Sequence, residues 1–194
     1  MGFRFTTLDL PEVVLIEPDT YPDARGFFRE TYRRSAFARD PVDVDAVQVN
    51  CSKSGRGVLR GMHYQREPAG VGKLVSVLAG RVYDVAADVR PGSPTFGRWV
   101  SAELSAEDGR MLSVPRGFAH GFCALAEETV VMYVMTGEFS PEHDTGVRWD
   151  DPELAIDWPV TDPILSDKDR GLPLLKEIET GVDVSDEAAE EARR

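Results

Sequence analysis

The sequence predicts an all-β protein, an antiparallel sandwich or barrel, and three observations carry that expectation. Between residues 45 and 140, short runs rich in Val, Leu, Phe and Tyr keep returning. Turn residues punctuate them at Ala79-Gly80-Arg81, Glu107-Asp108-Gly109, Pro115-Arg116-Gly117 and Ala126-Glu127-Glu128. Helical patterning is confined to the margins, at "RSAFARD" near residue 34 and in the last stretch, "SDEAAEEARR".

Taken in order, "GVLRGMHYQ" (57–65) reads as a strand with an anomaly. Strict alternation puts Arg60 and His63 on opposite faces. A glycine inside a strand often marks a bulge, and one extra residue at Gly61 would reset the parity and bring both side chains to one face. "KLVSVLAGRVYDVAADVR" then reads as two strands joined at Gly80, and "FGRWVSAEL", "MLSVP", "FAHGFCAL" and "TVVMYVMT" continue the series. The final stretch has acids at its start and arginines at its end, which suits a solvated surface helix without chemistry of its own. The organisation expected is one domain over residues 1–180 and an acidic tail over 181–194 that is a surface helix or disordered.

Composition narrows the function classes. The chain has 194 residues and 42% hydrophobic content, enough for a sizeable core. A formal charge of −12 disfavours a nucleic-acid partner without a strong basic patch, and none is visible. No apolar run reaches bilayer length and the start has no signal-peptide core, so the expected location is the cytoplasm, away from membranes. Cys51 and Cys123 lack CxxC spacing and read as reduced packing residues. Three short patterns lack their context: "MGFRFT" as a lipidation site, "NCS" as a sequon, and "SGRGVLRG" as a dinucleotide loop, which a strand rather than a helix follows.

The strand parities gather titratable groups. His120 shares a face with Phe118 and Phe122, Asp84 and Asp88 share one with Val82 and Ala86, and Tyr133 shares one with Val131 and Met135. Each has a bland reading: a satisfied core histidine, paired acids, an ordinary packed tyrosine. Together with Lys73, however, inward His, Asp and Tyr side chains point to a lined pocket. His63, His120 and His143 are the only histidines and form no HxH pair, so the spacing gives little support for a metal.

Longer motifs carry a resemblance. "PDARGFFRETY", "QVNCSKSGRGVLRGMHYQ", "VPRGFAHGFCAL", "MYVMTGEFSPEHDTGVRWDDP" and "LSDKDRGLP" stand in the order typical of dTDP-4-dehydrorhamnose 3,5-epimerases. The resemblance implies a cupin-like jelly roll, a homodimer, no cofactor and no metal. It also implies inversion of dTDP-4-dehydro-6-deoxy-D-glucose at C3 and C5 to dTDP-4-dehydro-L-rhamnose. By similarity His63 is the base, Asp169 orients it, Tyr133 is the acid and Lys73 stabilises the enolate. Substrate contacts carried over the same way are Arg25, Glu30, Gln48, Asn50, Arg60, His120, Asp144 and Lys168. Three positions depart from the family pattern: Asp144 replaces the usual glutamate, Cys51 the usual histidine of "NHS", and Glu138-Phe139 stands where an aromatic stacks on thymine. Two other readings stay open: a monofunctional epimerase or ketoisomerase on the same sugars, and a non-catalytic sugar- or metal-binding cupin.

Overall fold

The computed structural model describes residues 2–38, 42 and 44–178, so the tail expected over 181–194 lies outside the described residues. The chain runs through β1 (Phe3–Thr7), β2 (Val14–Pro18), β3 (Thr20–Asp23), β4 (Gly26–Arg29), a one-turn helix α1 (Arg34–Phe37), β5 (Gln48–Ser54) and β6 (Leu59–Gln65). It continues through β7 (Lys73–Ala79), β8 (Arg81–Asp88), β9 (Trp99–Ser105), β10 (Met111–Val114), β11 (Phe118–Ala124) and β12 (Thr129–Met135). A short β13 (Asp144–Gly146), a second one-turn helix α2 (Asp167–Arg170) and a 3-10 turn complete it.

Two sheets face each other, ordered β1-β2-β10-β7-β12-β5 and β13-β6-β11-β8-β9, and a separate hairpin pairs β3 with β4. All the strand pairings are antiparallel, as the strand series predicts. One residue, Gly80, separates β7 in the first sheet from β8 in the second. Its φ of +73° suits glycine, and a side chain there would press on Thr129. The turn read at Ala79-Gly80-Arg81 is thus the corner between two sheets.

Alternation along the strands sorts side chains into three apolar layers. Val75, Val77, Val82, Leu104, Phe118, Phe122 and Val131 fill the space between the sheets. On the outer face of the five-stranded sheet, Leu59, Met62, Val85 and Cys123 pack under the segment carrying Val147, Leu154 and Trp158. On the outer face of the other sheet, Ile16, Leu74 and Met111 pack under Phe37, Val42 and Val44. Each fully buried Phe or Leu side chain contributes roughly 1.5–3 kcal/mol. The central strands are therefore covered on both faces, which is why β8 and β11 are buried along most of their length.

The bulge expected at Gly61 is present. His63 pairs with His120 and Arg60 with Phe122, so Gly61 and Met62 together oppose Gly121 alone. Gly61 has φ +132°, and a side chain there would collide with Gly121 Cα and lie 2.9 Å from the His120 carbonyl. Two of the readings need correction. Cys51 is exposed, on the outward face of edge strand β5, and is not a packing residue. Helix is also not confined to the margins near residue 34 and the tail, because α2 lies at 167–170.

Candidate active site

Both sheets contribute to one cavity of about 430 Å³, within the ~300–1,000 Å³ usual for ligand clefts. The five-stranded sheet supplies Arg60, His63 and Gln65 from β6, His120 and Phe122 from β11, and Asp144 from β13. The six-stranded sheet supplies Asn50 and Ser52 from β5, Lys73 from β7, and Tyr133 and Met135 from β12. Lys168 and Asp169 reach it from α2, with Phe139 from the β12–β13 connection.

His63 Nε2 lies 2.7 Å from Asp169 Oδ1. An ionised carboxylate only accepts, so this bond keeps the proton on Nε2 and leaves Nδ1 as the basic nitrogen. Asp169 sits at the start of α2, where Ser166 Oγ accepts from its backbone N–H at 3.1 Å. Burial pushes the Asp169 carboxyl up, but the His63 hydrogen bond and charge, Ser166 and the Gly61 N–H together hold it below the usual carboxylate range.

Lys73 Nζ donates to the His63 carbonyl at 2.9 Å, leaving two donors for the cavity. Burial lowers its pKa to about 8, against the opposing pull of Asp144 and Asp84. On the far sheet, the Tyr133 hydroxyl is 2.8 Å from Ser52 Oγ, and its ring stands edge-on to His120 with centroids 6.1 Å apart. Burial pushes this phenol up to about 12, with the Ser52 bond opposing.

His120 is buried, and its Nε2 lies 2.9 Å from Oδ1 of the fully buried Asp84. Desolvation lowers its pKa despite that carboxylate, which favours the neutral ring, and with Nε2–H donated to Asp84 the neutral ring offers Nδ1 as an acceptor. Arg60 donates to Ser54 Oγ at 3.0 Å and to the Lys53 carbonyl at 3.1 Å, which fixes its guanidinium at the wall. Lys168 pairs with Asp144 across the mouth. Asp88, the other acid on the apolar face of β8, is fully buried outside the cavity and satisfied by Arg90, Ser93 and Thr95.

Nine of the twelve residues singled out from sequence thus line one cavity: His63, Lys73, Tyr133, Asp169, Asn50, Arg60, His120, Asp144 and Lys168. Three do not. Gln48 braces two lining residues instead, donating to Asn50 Oδ1 and accepting from the Phe139 N–H, each at 2.8 Å. Arg25, in the β3–β4 turn, bonds to Asp23, and Glu30, just after β4, pairs with Arg33. Neither lines the cavity of its own chain. Sequence reasoning passed over Ser52 and Gln65. Gln65 holds the loop over the mouth, donating to the Ala69 and Glu138 carbonyls and accepting from the Ser140 N–H. At the position read as Glu138-Phe139, it is Phe139 that faces the cavity.

A two-sheet barrel with an imidazole–carboxylate pair on one wall, a phenol on the other and an ammonium between them defines a class: cupin-like jelly-roll epimerases that move protons at carbon. Comparison with known proteins agrees. The family model described as dTDP-4-dehydrorhamnose 3,5-epimerase matches residues 7–177, and the chain belongs to that family. The dTDP-4-dehydrorhamnose 3,5-epimerase of Pseudomonas aeruginosa is 52% identical over 171 residues, covering 86% of this chain and 93% of that protein. Among solved structures, the dTDP-6-deoxy-D-glucose-3,5-epimerase of Legionella pneumophila, in complex with dTDP-4-keto-L-rhamnose, superposes with a TM-score of 0.88 at 43% identity. It covers 92% of this chain and 95% of its own. A 3'-monoepimerase from Streptomyces bikiniensis, in complex with dTDP-quinovose, superposes with a TM-score of 0.82 at 33% identity, covering 91% and 88%.

Proposed function

We propose that this cavity inverts dTDP-4-dehydro-6-deoxy-D-glucose at C3 and C5 to give dTDP-4-dehydro-L-rhamnose. The observation that carries this reading is the origin of the two proton-transfer groups: His63 comes from one sheet, Tyr133 from the other, and both line one cavity. A sugar ring held between the sheets has one face toward the imidazole and the other toward the phenol. The C4 ketone acidifies the hydrogens at C3 and C5. His63 Nδ1 removes one, and the electron pair moves into the C4 oxygen as an enolate. Asp169 stabilises the imidazolium, and the Lys73 ammonium faces the enolate oxygen, where one such donor is worth about 2.7–4 kcal/mol. Tyr133 then returns a proton to carbon from the opposite face, inverting the centre.

Arg60 and Lys168 suit the diphosphate, since guanidinium and ammonium groups bind its oxygens by charge-assisted hydrogen bonds. The net charge of −12 does not oppose this, because exposed charges beyond about 8–10 Å are largely screened. Phe139, half-exposed at the mouth, offers its ring to the thymine.

The functional unit of this reading is a homodimer. The β3–β4 hairpin exposes Phe27 (57%) and Phe28 (60%), and β5, a sheet edge, exposes Val49 (60%). Covering these surfaces with a second copy buries apolar area and brings Arg25 and Glu30 to the partner's cavity. The two free thiols suit a reducing cytoplasm. No helix among the described residues is long and apolar enough to cross a membrane.

Proton NMR of the product formed in deuterated water tests the reading. Deuterium at both C3 and C5, with both centres inverted, is expected. Deuterium at one carbon alone selects the monoepimerase reading, which the Streptomyces bikiniensis neighbour favours, and none at either refutes both.

A further inference from the structure

A phenol that hands its proton to carbon cannot also give that proton to a neighbour. Tyr133 Oη lies 2.8 Å from Ser52 Oγ, and either oxygen can be the donor. We infer that Ser52 is the positioning residue of the acid: its hydroxyl donates to Tyr133 Oη, so that the phenolic hydrogen points at the sugar and the phenolate left behind is already hydrogen-bonded. The inference rests on the reading of Tyr133 as the acid.

The backbone fixes the pair. β5 and β12 are hydrogen-bonded neighbours in register, with Tyr133 opposite Asn50 and Val131 opposite Ser52. Ser52 is therefore the diagonal cross-strand neighbour of Tyr133 on the inward face, within reach of a long aromatic side chain. Both residues line the cavity, and Ser52 is half-buried, so its oxygen can take a hydrogen bond from the cavity side while donating to the phenol. The direction matters chemically. Half-buried beside the His120 and Phe122 rings, the phenolate is partly desolvated, and the Ser52 bond opposes the resulting rise in pKa. A hydrogen bond to a charged oxygen is stronger than one to a neutral oxygen, so the contact tightens as the proton leaves. That is assistance realised in the transition state rather than in the resting enzyme.

The test separates inversion from proton removal. In deuterated water His63 alone can exchange substrate hydrogen and return deuterium from the same face, whereas net inversion needs the acid. Ser52→Ala is expected to lower net inversion about tenfold to a hundredfold while leaving exchange at C3 and C5 close to that of the unmodified enzyme. Ser52→Thr, which keeps the hydroxyl on a residue favoured in strands, is expected to restore inversion. In a Tyr133→Phe background, Ser52→Ala should cost inversion nothing more, since the partner oxygen is gone. A parallel fall of exchange and inversion, a threonine variant as poor as the alanine one, or a further loss in the Tyr133→Phe background overturns the inference. If Tyr133→Phe itself leaves inversion intact, the assignment of the acid has failed. If it abolishes inversion while Ser52→Ala does not lower it, the inference about Ser52 alone has failed.

Discussion

His63 Nε2 and Asp169 Oδ1 lie 2.7 Å apart although 106 positions separate the two residues in the chain. β6 supplies the imidazole and the capped turn of α2 supplies the carboxylate, so the pair exists only once the C-terminal segment has folded back over the five-stranded sheet. Asp169→Asn keeps the size but can present an N–H to the ring and favour the wrong tautomer. Exchange of substrate hydrogen with solvent is expected to fall on the order of 10²- to 10⁴-fold. His63→Ala should abolish exchange with an unchanged circular dichroism spectrum.

Lys73 is expected to set an alkaline limb. Its ammonium has a pKa of about 8, so kcat/KM is expected to fall as pH rises through 8 and the enolate loses its cation. In Lys73→Arg, whose guanidinium stays charged, the residual activity should lack that limb. The stability effect has the opposite sign. The unfolded lysine binds its proton more tightly than the folded one, so between pH 8 and the ordinary 10.5 this group's contribution to stability becomes more favourable as pH rises. Lys73→Met is expected to raise the melting temperature at pH 7, with the gain shrinking toward pH 10.5.

Gly61→Ala tests the bulge. The added methyl meets Gly121 Cα and the His120 carbonyl on a backbone at φ +132°, and neither neighbour is a flexible side chain. Destabilisation of about 2 kcal/mol or more is expected by chemical denaturation, together with loss of activity as Arg60 and His63 lose their common face.

Mixed subunits test where Arg25 acts. Arg25→Ala and His63→Ala proteins should each be nearly inactive. Refolded together, the pair that combines one of each should regain one intact site, with His63 from one protomer and the partner subunit's Arg25. No recovery in the mixture would mean that Arg25 serves its own chain or has no part in the site.

Much of this arrangement was legible in the sequence because alternation along a strand is a strict rule. Asp84, His120 and Tyr133 fell on apolar faces of their strands, and those faces line the cavity or back it. Gly61 signalled its own exception, since a glycine inside a strand often marks a bulge, and this one leaves no room for a side chain. The turn bearing Asp169 was missed because four residues show no period, yet Ser166 three positions before Asp169 is a capping pattern that was there to be read. Ser52 escaped because its importance lies in what faces it across the ladder, and pairing register is not a local property of sequence. Arg25 and Glu30 come only from a family motif, and in this chain they bond to Asp23 and Arg33 outside the cavity, so their part in the site rests on the proposed homodimer.

The residues that fill the space between the sheets take on a second duty from this geometry. Because His63 and Tyr133 are mounted on opposing sheets, the gauge between them is set by the side chains packed between those sheets, among them Phe122, whose ring sits 6.3 Å from that of Tyr133. Trimming or enlarging such a spacer retunes the aperture without touching any reactive atom. A search for catalysts that accept bulkier sugars, or invert one carbon instead of two, therefore has reason to start with these spacers rather than with the reactive groups.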